Sequence, residues 1–174
     1  MLSGRQVLTM LLSLCLSAGV LRAQDGPANN EDEFEKQYQE RITKDKLNGV
    51  YIPKNLDDAM LQLDKLISPD AQKKMKVIPE DSLAPALHKR LGQWMIMNWG
   101  FYGGSRLSHY LRSAGVTFPD DMADFLLLAY YHKLNGKPVG IKELAVKFRE
   151  KRKEQWEQEK QKRKVISEEV RKKN

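Results

Sequence analysis

Cysteine is almost absent from this 174-residue chain: Cys15 is the only one, and it lies in an apolar stretch near the N-terminus. A disulfide framework and a thiolate metal site are excluded, so the fold has to rest on its apolar core. Long apolar runs are missing after residue 23, where nothing approaches the roughly 20 residues needed to cross a bilayer. Strand signals reduce to one short piece, Val50 to Ile52, and there is no internal repeat. No nucleophile stands beside its base, no spacing of His, Cys or carboxylates suggests a metal, and no Gly-rich loop matches a phosphate-loop or dinucleotide fingerprint. No cofactor is therefore expected.

What the N-terminus does contain reads as a secretory signal: Arg5 precedes the apolar run Val7 to Val20, which ends near Leu21-Arg22-Ala23. Cleavage after Ala23 would leave Gln24 first and send the protein to the periplasm or out of the cell. Leu14 stands where a lipobox needs a small residue ahead of its cysteine, so lipidation of Cys15 is not expected. Residues 1–23 are read as signal, 24–49 as an N-terminal amphipathic helix with its stop, 50–140 as a helical domain and 141–174 as a basic charged tail.

Apolar spacing predicts helices almost throughout. Asn30 with Glu33 forms a capping pattern ahead of Phe34, Tyr38 and Ile42, a first helix over 29–46 that closes at Gly49. Asn55 caps a second, with Leu56, Ala59, Met60, Leu63, Leu66 and Ile67 on one face, and Ser68-Pro69 starts a short third over 70–77. A fourth follows Pro79, with Leu83, Leu87, Leu91, Trp94 and Met95 at helical spacing and a stop at Gly100. The fifth runs over 105–114, with Leu107, Tyr110, Leu111 and Ala114 inward and Ser105, Ser108, His109 and Arg112 towards solvent. The sixth opens at Pro119-Asp120-Asp121 and is apolar nearly all round from Met122 to Tyr131, the mark of a helix at the centre of a domain. The fold expected is all-α, a compact bundle of about six helices with a protruding charged C-terminal helix.

Charge is unevenly spread. The net charge is +7, yet residues 141–174 hold 13 basic and 7 acidic side chains while residues 24–140 hold 15 and 16. Beyond Arg149 the only apolar residues are Trp156, Val165, Ile166 and Val170, among Lys, Arg, Glu and Gln, the pattern of a solvated or self-associating helix with i,i+4 pairs. An anionic surface, such as lipopolysaccharide or acidic lipid, is the alternative partner for this tail, with Trp156 as its interfacial anchor. Nucleic acid is disfavoured by export. Self-pairing ranks below partner binding, because the apolar positions are too sparse for a sustained heptad seam.

Three aromatics and three glycines stand together in Trp99-Gly100-Phe101-Tyr102-Gly103-Gly104-Ser105-Arg106, directly before a helix that Ser105 can cap. The unpartnered N–H groups at that helix start would attract an anion, and Arg106 would clamp a carboxylate or phosphate. Trp99, Phe101 and Tyr102 would offer flat faces to a sugar or a peptide side chain. The plainer reading carries more weight: Ser105 caps, the aromatics fill the core, and glycine suits any tight helix connection. Ser105 and His109 lack a third group to orient the base, and Asp120-Asp121 is explained by a helix N-terminus. An envelope hydrolase using His109 with these acids is the enzymatic alternative. His88 and His132 fall on other helices.

Taken in order, Tyr51-Ile52-Pro53-Lys54, Trp99-Gly100 with Gly103-Gly104-Ser105-Arg106-Leu107, Pro119-Asp120-Asp121-Met122, and His132 with Asn135-Gly136-Lys137-Pro138 make a set. Over about residues 50–140 this set resembles a bacterial helical family catalogued only as a domain of unknown function. The resemblance implies a compact helical bacterial domain and supplies no catalytic residue, since the family has no established activity. It does not extend to the first helix or the tail. The function expected is that of an exported binding or adaptor protein rather than an enzyme. It would engage an unknown protein or envelope component through Trp99, Phe101, Tyr102, Gly103, Gly104, Ser105 and Arg106.

Overall fold

The computed structural model describes residues 30–173, with side chains through residue 166. The expected signal, residues 1–23, lies outside the described residues. Helix α1 (Glu31–Thr43) begins where the Asn30 side chain accepts from the Glu33 N–H at 2.8 Å. It ends earlier than its apolar spacing suggests, because β1 (Lys46–Leu47) is met by β2 (Val50–Tyr51) in a short antiparallel hairpin that pairs Lys46 with Tyr51 and Leu47 with Val50. The turn residues Asn48 and Gly49 both have positive φ, 49° and 79°, the geometry an Asn-Gly pair favours between twisted strands. Asn48-Gly49 is a hairpin signal here, not a helix stop.

Helix α2 (Leu56–Leu66) is capped by Asn55, which accepts from the Asp58 N–H at 3.0 Å, and buries Leu56, Ala59, Met60 and Leu63. Helix α3 (Pro69–Lys76) has Pro69 at its first position, where no donor is needed, and Ser68 as its cap.

The stretch from Glu80 to Asn98, expected as one regular helix, is one rod of uneven pitch. A 3-10 turn (Glu80–Ser82) leads into α4 (Leu83–Leu87), a π turn (His88–Gly92) and α5 (Gln93–Asn98). On a regular helix Leu83 and Met95 would stand about 120° apart; one extra residue held in the wide turn removes about 100° of that. Both side chains thereby reach the core. Pro85 falls in the first turn of α4, where its missing N–H breaks little.

Helices α6 (Arg106–Ser113), α7 (Pro119–Leu134) and α8 (Ile141–Lys173) complete the order. Helix α7 is buried almost all round from Asp121 to Tyr131, and α2 to α6, the π turn and α8 all pack on it. Helix α1 packs against α6. Across the α2–α7 contact the Tyr130 hydroxyl donates to Asp64 at 3.0 Å and Lys133 pairs with the same carboxylate. Burial and that carboxylate both push the Tyr130 pKa up, so the phenol stays a donor. Among the described residues the architecture is all-α apart from the hairpin, with α7 at its centre.

Candidate functional site

The 99–106 turn is built by the way α5 ends. The Phe101 N–H bonds back to the Ile96 carbonyl at 3.1 Å across Gly100, whose φ is +66°, closing the helix with a left-handed stop. This sends Trp99 and Phe101 into the core, where Trp99 lies edge-on to Trp94 with ring centroids 5.8 Å apart. Tyr102 alone of the three aromatics stays outside, 63% exposed. Ser105 then opens α6 with a reciprocal cap. Its Oγ accepts from the Ser108 N–H at 3.2 Å, and the Ser108 hydroxyl accepts from the Ser105 N–H at 2.8 Å.

Both serines are fully buried, not solvent-facing as their spacing on α6 suggests. The cause is α1, which spacing within α6 cannot reveal. Tyr38 lies over Gly104, so closely that a Cβ there would come within 2.3 Å of its ring. The Arg41 guanidinium lies against Gly100 and Gly103, and its Nε donates to the Gly104 carbonyl at 3.0 Å. The glycines of this turn form the seat of α1.

Arg106 faces the hairpin. Its Nε donates to the Ile52 carbonyl at 2.7 Å and its guanidinium lies 5.0 Å from the Tyr51 ring centroid. The Tyr51 hydroxyl donates to Asp58 at 2.7 Å, and the Lys54 N–H donates to the same oxygen at 3.0 Å. Desolvation pushes the Asp58 carboxyl up, but the Lys54, Tyr51 and Gln62 donors and the Arg106 charge outweigh it and hold the group below its usual range. The bond to Asp58, with burial, raises the Tyr51 pKa. Of the seven candidate residues, Trp99, Phe101, Gly104 and Ser105 are buried, Gly103 and Arg106 are partly exposed, and Tyr102 is exposed.

The three histidines take separate partners. His109 is exposed and its Nδ1 meets the Tyr38 hydroxyl at 2.9 Å rather than Asp120 or Asp121. His88 takes the acids instead: Nδ1 lies 2.6 Å from Asp124 and Nε2 3.4 Å from Asp120. Both ring nitrogens thus face carboxylates of α7, which ties the π turn to that helix. His132 Nε2 is buried 3.3 Å from Glu80 without the alignment of a hydrogen bond. Lys137 donates to Glu80 at 2.9 Å and, against burial, draws its pKa down. A cleft of about 260 Å³ adjoins these acids, floored by Leu83, Leu128 and Phe148 and rimmed by Asp124, Lys147 and Lys151.

Helix α8 begins in the core and leaves it. Leu144, Ala145 and Phe148 are buried, and Arg152 closes the packed part with two hydrogen bonds to Asp121, at 2.9 and 2.6 Å. Its guanidinium also lies 4.4 Å from the Phe118 ring centroid. Asp121, read from sequence as a helix N-terminal charge or, in the enzymatic alternative, an acid beside His109, is the fastening point of the arm. From residue 153 to 166 every side chain is exposed, including Trp156 at 61% and Ile166 at 60%. At about 100° per residue, Trp156 and Ile166 fall on the side of α8 that carries Phe148 and Arg152, so the face that seats the helix continues into solvent. Phe148, Arg152 and Trp156 recur at intervals of four, a legible signal. The acid that Arg152 meets is not.

No curated protein and no solved structure matches the chain. Residues 52–134, from the hairpin exit to the end of α7, match the model of a family described as a domain of unknown function, DUF6794; the 99–106 turn and Asp121 lie inside the match, α1 and α8 outside it.

Proposed function

We propose that this chain is an exported, non-enzymatic interaction protein, a helical head that carries α8 as an arm for a partner. The observation that carries the reading is the exposed pair Trp156 and Ile166, in line with the buried face of a helix whose base is held by Phe148 and the Arg152–Asp121 pair. A lone exposed apolar residue is ordinary. A tryptophan continuing a helix's own packing face, on a segment with no core of its own, suits helix-in-groove or helix–helix recognition. Export is supported by Arg5, the apolar run Val7 to Val20 and Ala23. In the 99–106 turn Tyr102 is the exposed aromatic available to a ligand, while Arg106 is engaged with Ile52 and Tyr51.

Affinity capture from envelope extract with residues 24–174, residues 24–152, and residues 24–174 carrying Tyr102→Ala tests the assignment. A partner identified by mass and re-bound in purified form is expected to be lost by the truncated bait and kept by Tyr102→Ala. Capture retained by residues 24–152 overturns the arm as the site, and loss with Tyr102→Ala alone moves the site to the turn. Protein recovered from the envelope is expected to begin at Gln24; a product that keeps Met1 contradicts export.

A further inference from the structure

We infer that the partner of the arm is a second copy of this chain. Two α8 helices lie antiparallel about a two-fold axis at Gln161, with Trp156 of each copy on Ile166 of the other and Glu159 of each facing Arg163 of the other. This rests on reading α8 as an interaction arm and names what it binds.

The charges along the arm fall in blocks. Residues 154–159 carry Glu154, Glu157 and Glu159 and no cation, whereas residues 160–164 carry Lys160, Lys162, Arg163 and Lys164 and no acid. Side by side in parallel, two arms would set acid on acid and base on base. Antiparallel, centred at Gln161, they set Glu159 of each against Arg163 of the other and Gln158 against Lys164, while Lys160 falls opposite Lys162 beside the axis. Positions 156, 159, 163 and 166 step by three, four and three, the spacing that keeps one seam facing a partner helix. Mirroring about 161 pairs 156 with 166 and 159 with 163, so every seam position meets a complementary one.

Among the described residues Arg163 pairs with the Glu159 of its own helix, at 3.6 Å, with both side chains largely exposed. Such an exposed pair contributes little. In the two-fold pair each gains a partner across the seam, sheltered by the Trp–Ile contacts at either end. An anionic surface would take the cations of the same segment but would repel Glu154, Glu157 and Glu159, which lie between Trp156 and the basic block or beside it. The seam is short and Lys160 and Lys162 flank the axis, so the association is weak and depends on concentration.

Sedimentation equilibrium of residues 24–174 from micromolar to near-millimolar concentration tests the pairing. Wild type is expected to pass from monomer to dimer, and Trp156→Ala to raise the dissociation constant about tenfold or more, as removal of an aromatic anchor does. Glu159→Arg alone sets arginine against arginine, and Arg163→Glu alone sets glutamate against glutamate, so each is expected to stay monomeric. A mixture of the two restores both cross-seam pairs and is expected to form a heterodimer, a rescue that no repair within either helix can produce. A wild type monomeric throughout overturns the pairing, and a dimeric wild type whose mixed variants stay monomeric overturns the register. If the wild type is monomeric while residues 153–174 remain necessary for capture of another protein, the pairing fails and the interaction arm stands; if both fail, so does the arm.

Discussion

At Gly104 two constraints meet in one residue: a φ of +86°, and the Tyr38 ring 2.3 Å from where a Cβ would lie. Left-handed backbone costs a residue with a Cβ about 1–2 kcal/mol, and a forced displacement of α1 adds about 1–3 kcal/mol. Gly104→Ala is therefore expected to lower the unfolding free energy by about 2–5 kcal/mol in urea titration, and by only the backbone share in a Tyr38→Ala background. Equal losses in both backgrounds would show that the ring contact is immaterial. Arg106→Ala, which removes the bond to Ile52 and the stack on Tyr51, is expected to cost about 1–2 kcal/mol. An unchanged melting temperature would return Arg106 to the role of a free ligand clamp. Asp58 and Glu80 have folded pKa values below their usual 3.8 and 4.5, so each stabilises the fold above those values and loses that contribution as pH falls through the lower folded ones. Stability is expected to decline below about pH 4.5, less steeply in Asp58→Asn and Glu80→Gln; slopes identical to wild type would remove these carboxylates as the cause.

Among the elements, α8 divides at Arg152. Everything described beyond that residue is exposed, so deleting residues 154–174 is expected to change the stability of the head by no more than about 0.5 kcal/mol. Arg152→Ala in the full chain strands Asp121, whose side chain is only 12% exposed. Breaking a fully buried pair costs about 3–5 kcal/mol, and the 36% exposure of Arg152 brings the expectation down to about 1–3 kcal/mol. If the substitution proves as mild as the truncation, the pair is not what fastens the arm. Most elements were legible in advance, because Asn30, Asn55, Ser68, Pro69 and Ser105 act on N–H groups only a few residues away. The hairpin was legible too, in Asn48-Gly49, but was hidden behind the amphipathic spacing that precedes it. The π turn was not. It answers to where Leu83 and Met95 must both point, which α7 decides.

Over the whole molecule, stability is graded from α7 outward. An isolated helical segment draws little support from propensity alone, and tertiary packing supplies most of it. In dilute solution amide hydrogens of α7 are expected to exchange slowest and those from 153 onward fastest, with protection of the arm rising with concentration if two arms pair. Arm amides as protected as those of α7 in dilute solution would mean that the arm folds back on its own head.

Sequence alone determined the all-α class, the caps and prolines that start its helices, the central place of the α7 segment and the charged arm, because each depends on signals that act within one or two turns of chain. Tertiary structure decided the rest: the α1 seat, where Arg41 meets Gly104 from 63 residues away, the tie of Arg106 to Ile52 across 54, and the fastening of Arg152 to Asp121 across 31. No periodicity encodes such pairings. They follow from which faces the packed helices turn to one another, and for that reason the spacing within the aromatic–glycine turn does not show that it is also the floor beneath a helix.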